Sequence, residues 1–259
     1  MRHLVVIPAS GMGNRLRAIA SARRLCGLLQ ARCSVVWDWG DIDQFFAPIP
    51  DVEIVRSRLS TVATRIVHRP MHVDPTRTVD VSVETLEVRS QYVFWGSHES
   101  EIELFEIREY LPSLSARLQE IVEEFSANHL KNAVGLHLRR TDNKKAIEVS
   151  RDALFFSEAR ALVSVGKKLF LATDNATTEA AMQKLFGDAI ITYPKRQALD
   201  RRWPRPFNQT AAEDDLIDLF LLSRTEYILG SYWSSFSGVA MALNGSERCR
   251  ILKNIEPAA

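Results

Sequence analysis

The stretch VGLHLRRTDN, residues 134–143, holds the densest chemistry in the chain: an apolar run that ends in His137, Arg139, Arg140 and Asp142. Two adjacent guanidinium groups offer planar forks of donors that stay charged at any working pH, which is what a diphosphate needs. Asp142 stands where it could lock one arginine, and His137 precedes them on the same strand. The same residues would also serve as an arginine–aspartate pair at a sheet edge with a satisfied core histidine. Three other stretches repeat the pattern of polar groups directly after an apolar run. In SGMGNRLR, residues 10–17, Gly11 and Gly13 allow a tight turn and close backbone approach, with Asn14 beside them. This is not the dinucleotide fingerprint, because Asn14 and Leu16 follow where another glycine is expected. LATDN, residues 171–175, brings the carboxylate of Asp174, suited to a nucleobase edge or an arginine, although Thr, Asp and Asn are also ordinary helix caps. GSYWSSFSG, residues 230–238, sets Ser235, Phe236 and Ser237 where a helix starts, so hydroxyls and free N–H groups can cradle phosphate.

Positioning such groups requires strands that end at one edge. HLVVIPAS reads as a buried strand, GMGN as a turn, and RLRAIASARRLCGLLQ as a helix with Ala18, Ala22, Leu25 and Leu29 on its apolar side. CSVVWDW follows as the next strand, completing a parallel βαβ unit. Between residues 52 and 95 the pattern weakens to short β-like runs, VEIVRS and QYVFWGS. PSLSARLQEIVEEF predicts a helix striped with Leu114, Leu118, Ile121, Val122 and Phe125, with Pro112 in its first turn. The polar break SANHLKN then divides the chain into domains 1–128 and 129–259. After it, strands AVGLHLR, KLFLATDN, AIITYP, EYILGS and CRILKN alternate with helices, and a polar, proline-containing loop, KRQALDRRWPRPFNQ, separates two of them. The expected class is α/β, with two Rossmann-like domains facing a cleft and the site beyond the carboxyl ends of the strands.

Composition narrows the function. The chain has 259 residues and a formal net charge of +1, which argues against a general nucleic-acid binder. No window approaches the ~20 apolar residues that span a membrane, and the N-terminal apolar run is too short for a secretory signal. Cys26, Cys33 and Cys249 form neither a disulfide framework nor a zinc motif. A cytoplasmic location is expected.

Taken in order, GMGNRLR, HLRRTD, LATDN and SSFS resemble the shared motifs of the fucosyltransferase superfamily, which includes α1,6-fucosyltransferases, bacterial nodulation fucosyltransferases and protein O-fucosyltransferases. The resemblance covers both ends of the chain and leaves residues 52–111 unmatched. It implies a GT-B-like fold and a GDP-fucose donor held mainly by the C-terminal half. By this resemblance Arg139 and Arg140 match the arginine pair on the donor diphosphate, flanked by His137 and Asp142. Asp174 matches an acidic position associated with the guanine, and Ser235, Phe236 and Ser237 match the motif beside the phosphates. Asn14 matches the amide of the N-terminal glycine-rich motif, and Asp218 an aspartate that introduces the third motif. Glu148 lies within about one residue of the glutamate proposed as base in α1,6-fucosyltransferases. The chain is shorter than secretory-pathway members, which favours a bacterial-type enzyme.

The implied reaction is inverting transfer of fucose to a hydroxyl on a glycan, small molecule or polypeptide. Negative charge grows on the departing diphosphate, and the arginine pair with the serine loop would meet it without a metal or other cofactor. No Asp-x-Asp pair stands where it would hold one. Two alternatives remain open from the residues: another nucleotide-linked deoxysugar such as a rhamnosyl donor, and a nucleotide-sugar-binding protein without turnover.

Overall fold

The computed structural model describes residues 1–56, 71–73, 77–141, 143–196 and 208–254. Asp142 and most of the proline-containing loop lie outside the described residues. The chain divides into two compact units, Met1–Leu118 and Gln119–Ala259, so the division comes before the SANHLKN stretch, whose residues 126–129 are not a break but the end of a helix.

In the first unit, β1 (His3–Pro8), α1 (Met12–Leu29) and β2 (Arg32–Trp37) form the expected βαβ unit. With β3 (Val52–Arg56), β4 (Met71–His72) and β6 (Thr85–Ser90) they make a five-stranded sheet, β3-β2-β1-β6-β4, parallel throughout. β5 (Thr78–Val79) and β7 (Trp95–Gly96) pair separately. β1 and β2 are apolar along their length because a parallel sheet is covered on both faces; Leu4, Val6, Ile7, Val35 and Val36 are buried. β6 was not legible in the sequence: its TLEVRS carries Glu87 and Arg89, which mask a strand whose Arg89 is nevertheless buried. QYVFWGS yields only the two residues of β7.

Two local expectations are corrected. GMGN is not a turn preceding the helix, because α1 begins at Met12 and Gly11 is its extended N-cap. The left-handed residue of the turn is Ser10, at φ 65°. The helix read from Pro112 begins at Ala116 as α2 (Ala116–His129), because Leu114 is held extended in a bridge to Phe46.

The second unit alternates β8 (Val134–Leu138), α3 (Lys144–Val149), α4 (Asp152–Ser164), β9 (Leu169–Thr173), α5 (Ala176–Phe186), β10 (Ile190–Ile191), α6 (Gln209–Ser223), β11 (Ile228–Ser231), α7 (Ser235–Asn244) and β12 (Arg250–Leu252). Its sheet is also five-stranded and parallel, in the order β10-β9-β8-β11-β12. The core gathers Val134, Leu136, Leu138, Phe155, Leu169, Leu171, Met182 and Leu229. The chain winds outward from β8 in one direction and then from β11 in the other. The topological switch therefore lies between β8 and β11, where open α/β sheets place ligands.

Candidate functional site

The carboxyl ends of β8 and β11 are joined by hydroxyls. The Arg139 N–H donates to Ser231 Oγ (3.0 Å), and Ser231 Oγ donates to the His137 carbonyl (2.8 Å). Ser237 Oγ, in the first turn of α7, accepts from the Ser231 N–H (3.1 Å) and lies 2.7 Å from His137 Nδ1. Phe236 stacks on the His137 ring with centroids 4.5 Å apart. Burial, reinforced by the charges of Arg139, Arg140 and Lys195 and opposed by Asp174, holds His137 down to about 3. The imidazole is neutral. Gly230 is what lets α7 approach: a Cβ there would stand 2.7 Å from Ser237 Oγ and 2.8 Å from Met241 Cε.

The two arginines, both beyond the end of β8, go to different places. Arg139 Nη1 pairs with Asp174 Oδ2 at 3.1 Å, and its side chain is 24% exposed. Arg140 turns inward and is 6% exposed, with its Nε against Asp152. Its Nη1 donates to the Arg139 carbonyl (2.8 Å) and its Nη2 to the Ser150 carbonyl (2.7 Å), while the guanidinium lies 5.5 Å from the Phe155 ring centroid. Ser150 in turn donates to the Leu252 carbonyl and accepts from the Tyr232 N–H (2.8 Å), tying the arginine's anchor to β12 and the β11–α7 loop.

Asp174 is bound up inside this turn. It accepts from the Arg140 N–H (2.7 Å), Thr141 Oγ1 (2.6 Å) and Arg139. Burial works against its charge, but Arg139, Thr141 and the Arg140 N–H hold the carboxylate below its usual range. The helix cap in LATDN is Asn175, which accepts from the Thr178 N–H at 2.8 Å. Asp218 is buried in α6 and pairs with Lys195 at 2.7 Å. Its Oδ1 is buried and has no hydrogen-bond partner among the described residues. Burial raises Asp218 to about 6 despite the Lys195 charge, while Lys195 is raised because Asp218 outweighs burial. The role of Lys195 was not legible in the sequence, and Ser231 was flagged only as part of GSYWSSFSG, because its partners lie on β8.

Glu148, expected in a loop, lies exposed on α3. That short helix forms because Asn143 caps it, accepting from the Ala146 N–H (3.1 Å) while its Nδ2 donates to the Trp233 carbonyl (2.8 Å). Ser235 opens α7 and is half-buried, behind the Ser234 cap.

Gly11, Gly13 and Asn14 belong to the first unit. A Cβ on Gly11 would meet nothing within 4 Å, so the space above it is open. The turn is fixed by Ser10 Oγ donating to Gln91 Oε1 (2.7 Å) and by Arg15 Nε donating to the Ser10 carbonyl (3.0 Å). Arg15, which the helical pattern placed among the polar residues, is buried against Asp38 at 2.8 Å and flanked by the rings of Trp37 and Trp39. Burial lowers its pKa against the pull of Asp38.

No protein-family model and no curated protein sequence matches this chain. Solved structures do. A point mutant of FUT1 from Arabidopsis thaliana, in complex with GDP, matches at TM-score 0.63 and 14% identity over 96% of this chain and 69% of that one. The α-1,6-fucosyltransferase NodZ, a protein of Bradyrhizobium, soaked with GDP-fucose, matches at 0.59 and 17% over 93% and 92%. POFUT1 in complex with GDP matches at 0.54 and 11% over 96% and 97%. At these identities the likeness establishes the fold: this chain is built as the fucosyltransferases of the GT-B type are.

Proposed function

We propose that the protein is a cytoplasmic glycosyltransferase that moves fucose from GDP-fucose to an acceptor hydroxyl, with inversion and without a metal. The observation that carries this reading is the β8–β11 switch point, where Arg139, the hydroxyls of Ser231 and Ser237 and the first turn of α7 meet around a neutral histidine. A helix start with free N–H groups favours phosphate. Arg139 keeps an exposed edge for it, and the neighbouring structures with bound GDP or GDP-fucose support the class of ligand.

In the reaction the acceptor oxygen forms a bond to the anomeric carbon as the bond from that carbon to the diphosphate oxygen breaks, and the electron pair stays on GDP. Arg139 and the α7 N–H groups stabilise the charge that develops there. Arg140 acts through position, holding the turn that carries Arg139. The acceptor proton goes to the exposed carboxylate of Glu148, with the departing phosphate as the other recipient. Asp174 spends its oxygens on the turn, which leaves Asp218 Oδ1 as the buried acceptor suited to the donor edge of guanine.

Calorimetry with GDP, UDP and dTDP tests the nucleotide, and turnover of GDP-fucose against GDP-mannose and dTDP-rhamnose tests the sugar. GDP should bind alone among the three, and Asp218→Ala should erase that preference. Equal binding of UDP, or GDP binding with no transfer to any of a broad acceptor library, would overturn the reading. Glu148→Gln should slow transfer by ~100- to 10,000-fold with donor affinity kept; an unchanged rate passes the proton to the phosphate.

A further inference from the structure

Trp233 is 57% exposed and sits at φ 54°, a conformation that bulky residues rarely adopt and that is retained where the surroundings enforce it. Two neighbours hold it there. Asn143 donates to its carbonyl at 2.8 Å, and Lys145 Nζ lies 4.5 Å from its ring centroid. Asn143 and Lys145 both belong to the start of α3, the helix that carries Glu148. Lys145 and Glu148 are three residues apart and so share a face of that helix. Trp233 itself directly precedes Ser234, the cap of α7. An exposed indole, an exposed lysine and the proposed base are thus gathered on one rim next to the phosphate-binding helix start. Lys145 has no carboxylate partner among the described residues. Its neighbour Lys144 is also exposed.

We propose that Trp233 and Lys145 form an acceptor subsite for a saccharide ring that bears an anionic group. The proposal rests on the transferase reading above and gives the second unit a share in acceptor binding. The negative face of an indole attracts the polarised C–H bonds on the apolar side of a sugar ring. The ammonium lies over one face of the ring, 4.5 Å from its centroid, so the sugar takes the other face and the ammonium supplies a point charge for a carboxylate or phosphate at the ring's edge. The ring also meets Tyr232, with centroids 5.9 Å apart, yet the backbone stands in the left-handed region, where glycine is the unstrained choice, and the residue stays 57% exposed.

The test uses the full chain saturated with GDP and three probes: trigalacturonate, its methyl ester, and maltotriose phosphorylated at a terminal 6-hydroxyl, each titrated by calorimetry. One or both of the charged probes should bind ~10-fold or more tightly than the ester, and the stronger of the two identifies the anion. Trp233→Ala should weaken every probe by ~10-fold or more, and Trp233→Phe should recover most of that loss. Lys145→Gln should remove the preference for charge and leave ester binding intact. Trp233→Gly should lose the probes without lowering Tm, since glycine relieves the backbone; a structural tryptophan would lower it. GDP affinity should be unchanged in all four variants. Equal binding of charged and neutral probes, unchanged binding in Trp233→Ala, or a loss of GDP affinity equal to that of the probes would overturn the subsite. Failure of the wild type to bind GDP would instead sink the transferase reading, and the probes titrated without nucleotide would still report on the rim.

Discussion

Adjacent arginines with the same chemistry occupy different environments here, and substitution should separate them. Arg139→Ala removes a half-buried guanidinium that on the proposed reading meets the developing charge, so transfer should fall ~100-fold or more with the fold intact. Arg140→Ala leaves the carbonyls of Arg139 and Ser150 without their donor, at a cost of ~1–3 kcal/mol for each buried group left unsatisfied. Its loss should therefore register in urea unfolding as well as in rate, and equal stability of the two variants would place both side chains in solvent. His137 makes a second prediction. Its folded pKa of about 3 lies below the ordinary 6.5, so between those values the unfolded chain binds the extra proton. That stability is complete above pH 6.5 and is lost as the pH falls toward 3, at up to ~1.4 kcal/mol per unit. Asp218, raised from 3.8 to about 6, has the opposite slope: across that window the native state binds the extra proton, and stability falls as the pH rises. Wild-type unfolding against pH would mix the two. The difference between wild type and His137→Gln isolates the histidine and should shrink steadily from pH 6.5 to pH 4.

At the level of elements, the site depends on how closely α7 can lie on β11. Gly230 sits under Ser237 and Met241, and a Cβ would enter both at less than 3 Å. Gly230→Ala should push the helix start away, separating Ser237 from His137 and from the Ser231 N–H. The expected result is a loss of ~1–3 kcal/mol in chemical denaturation, the range for overpacking, together with weaker GDP binding. Gly11→Ala is the contrast, because the space above Gly11 is open. It should leave stability within ~0.5 kcal/mol and affect only what approaches that turn. If Gly11→Ala cost as much stability as is expected of Gly230→Ala, the glycine-rich turn would be a packing feature.

For the whole molecule, the formal net charge is only +1, so on the proposed reading the positive field that meets a GDP-sugar is local, carried by the arginines of the site. Charge neutralisation by fixed guanidinium and N–H groups predicts that transfer survives exhaustive EDTA treatment at an unchanged rate. Recovery that depends on added Mg²⁺ or Mn²⁺ would falsify the metal-free mechanism. Among the described residues no helix is long and apolar enough to cross a membrane.

The sequence by itself determined the α/β class, most of the strands and helices of the second half, and the fact that polar chemistry follows β1, β8, β9 and β11. Those features are local: burial on both faces makes a parallel strand a continuous apolar run, and helix periodicity is written within a few turns. It did not determine β6, whose charged Arg89 is buried, or α3, which exists because Asn143 both caps it and reaches Trp233. Only the tertiary structure decided which strands adjoin. The order β10-β9-β8-β11-β12 brings Ser231 to the Arg139 N–H across 92 residues and Ser237 to His137 across 100. The same packing turned Arg140 inward, bound both oxygens of Asp174 and left one oxygen of Asp218 without a partner among the described residues. A residue's type sets which bonds it can make, and burial against distant chain sets which of them are already made.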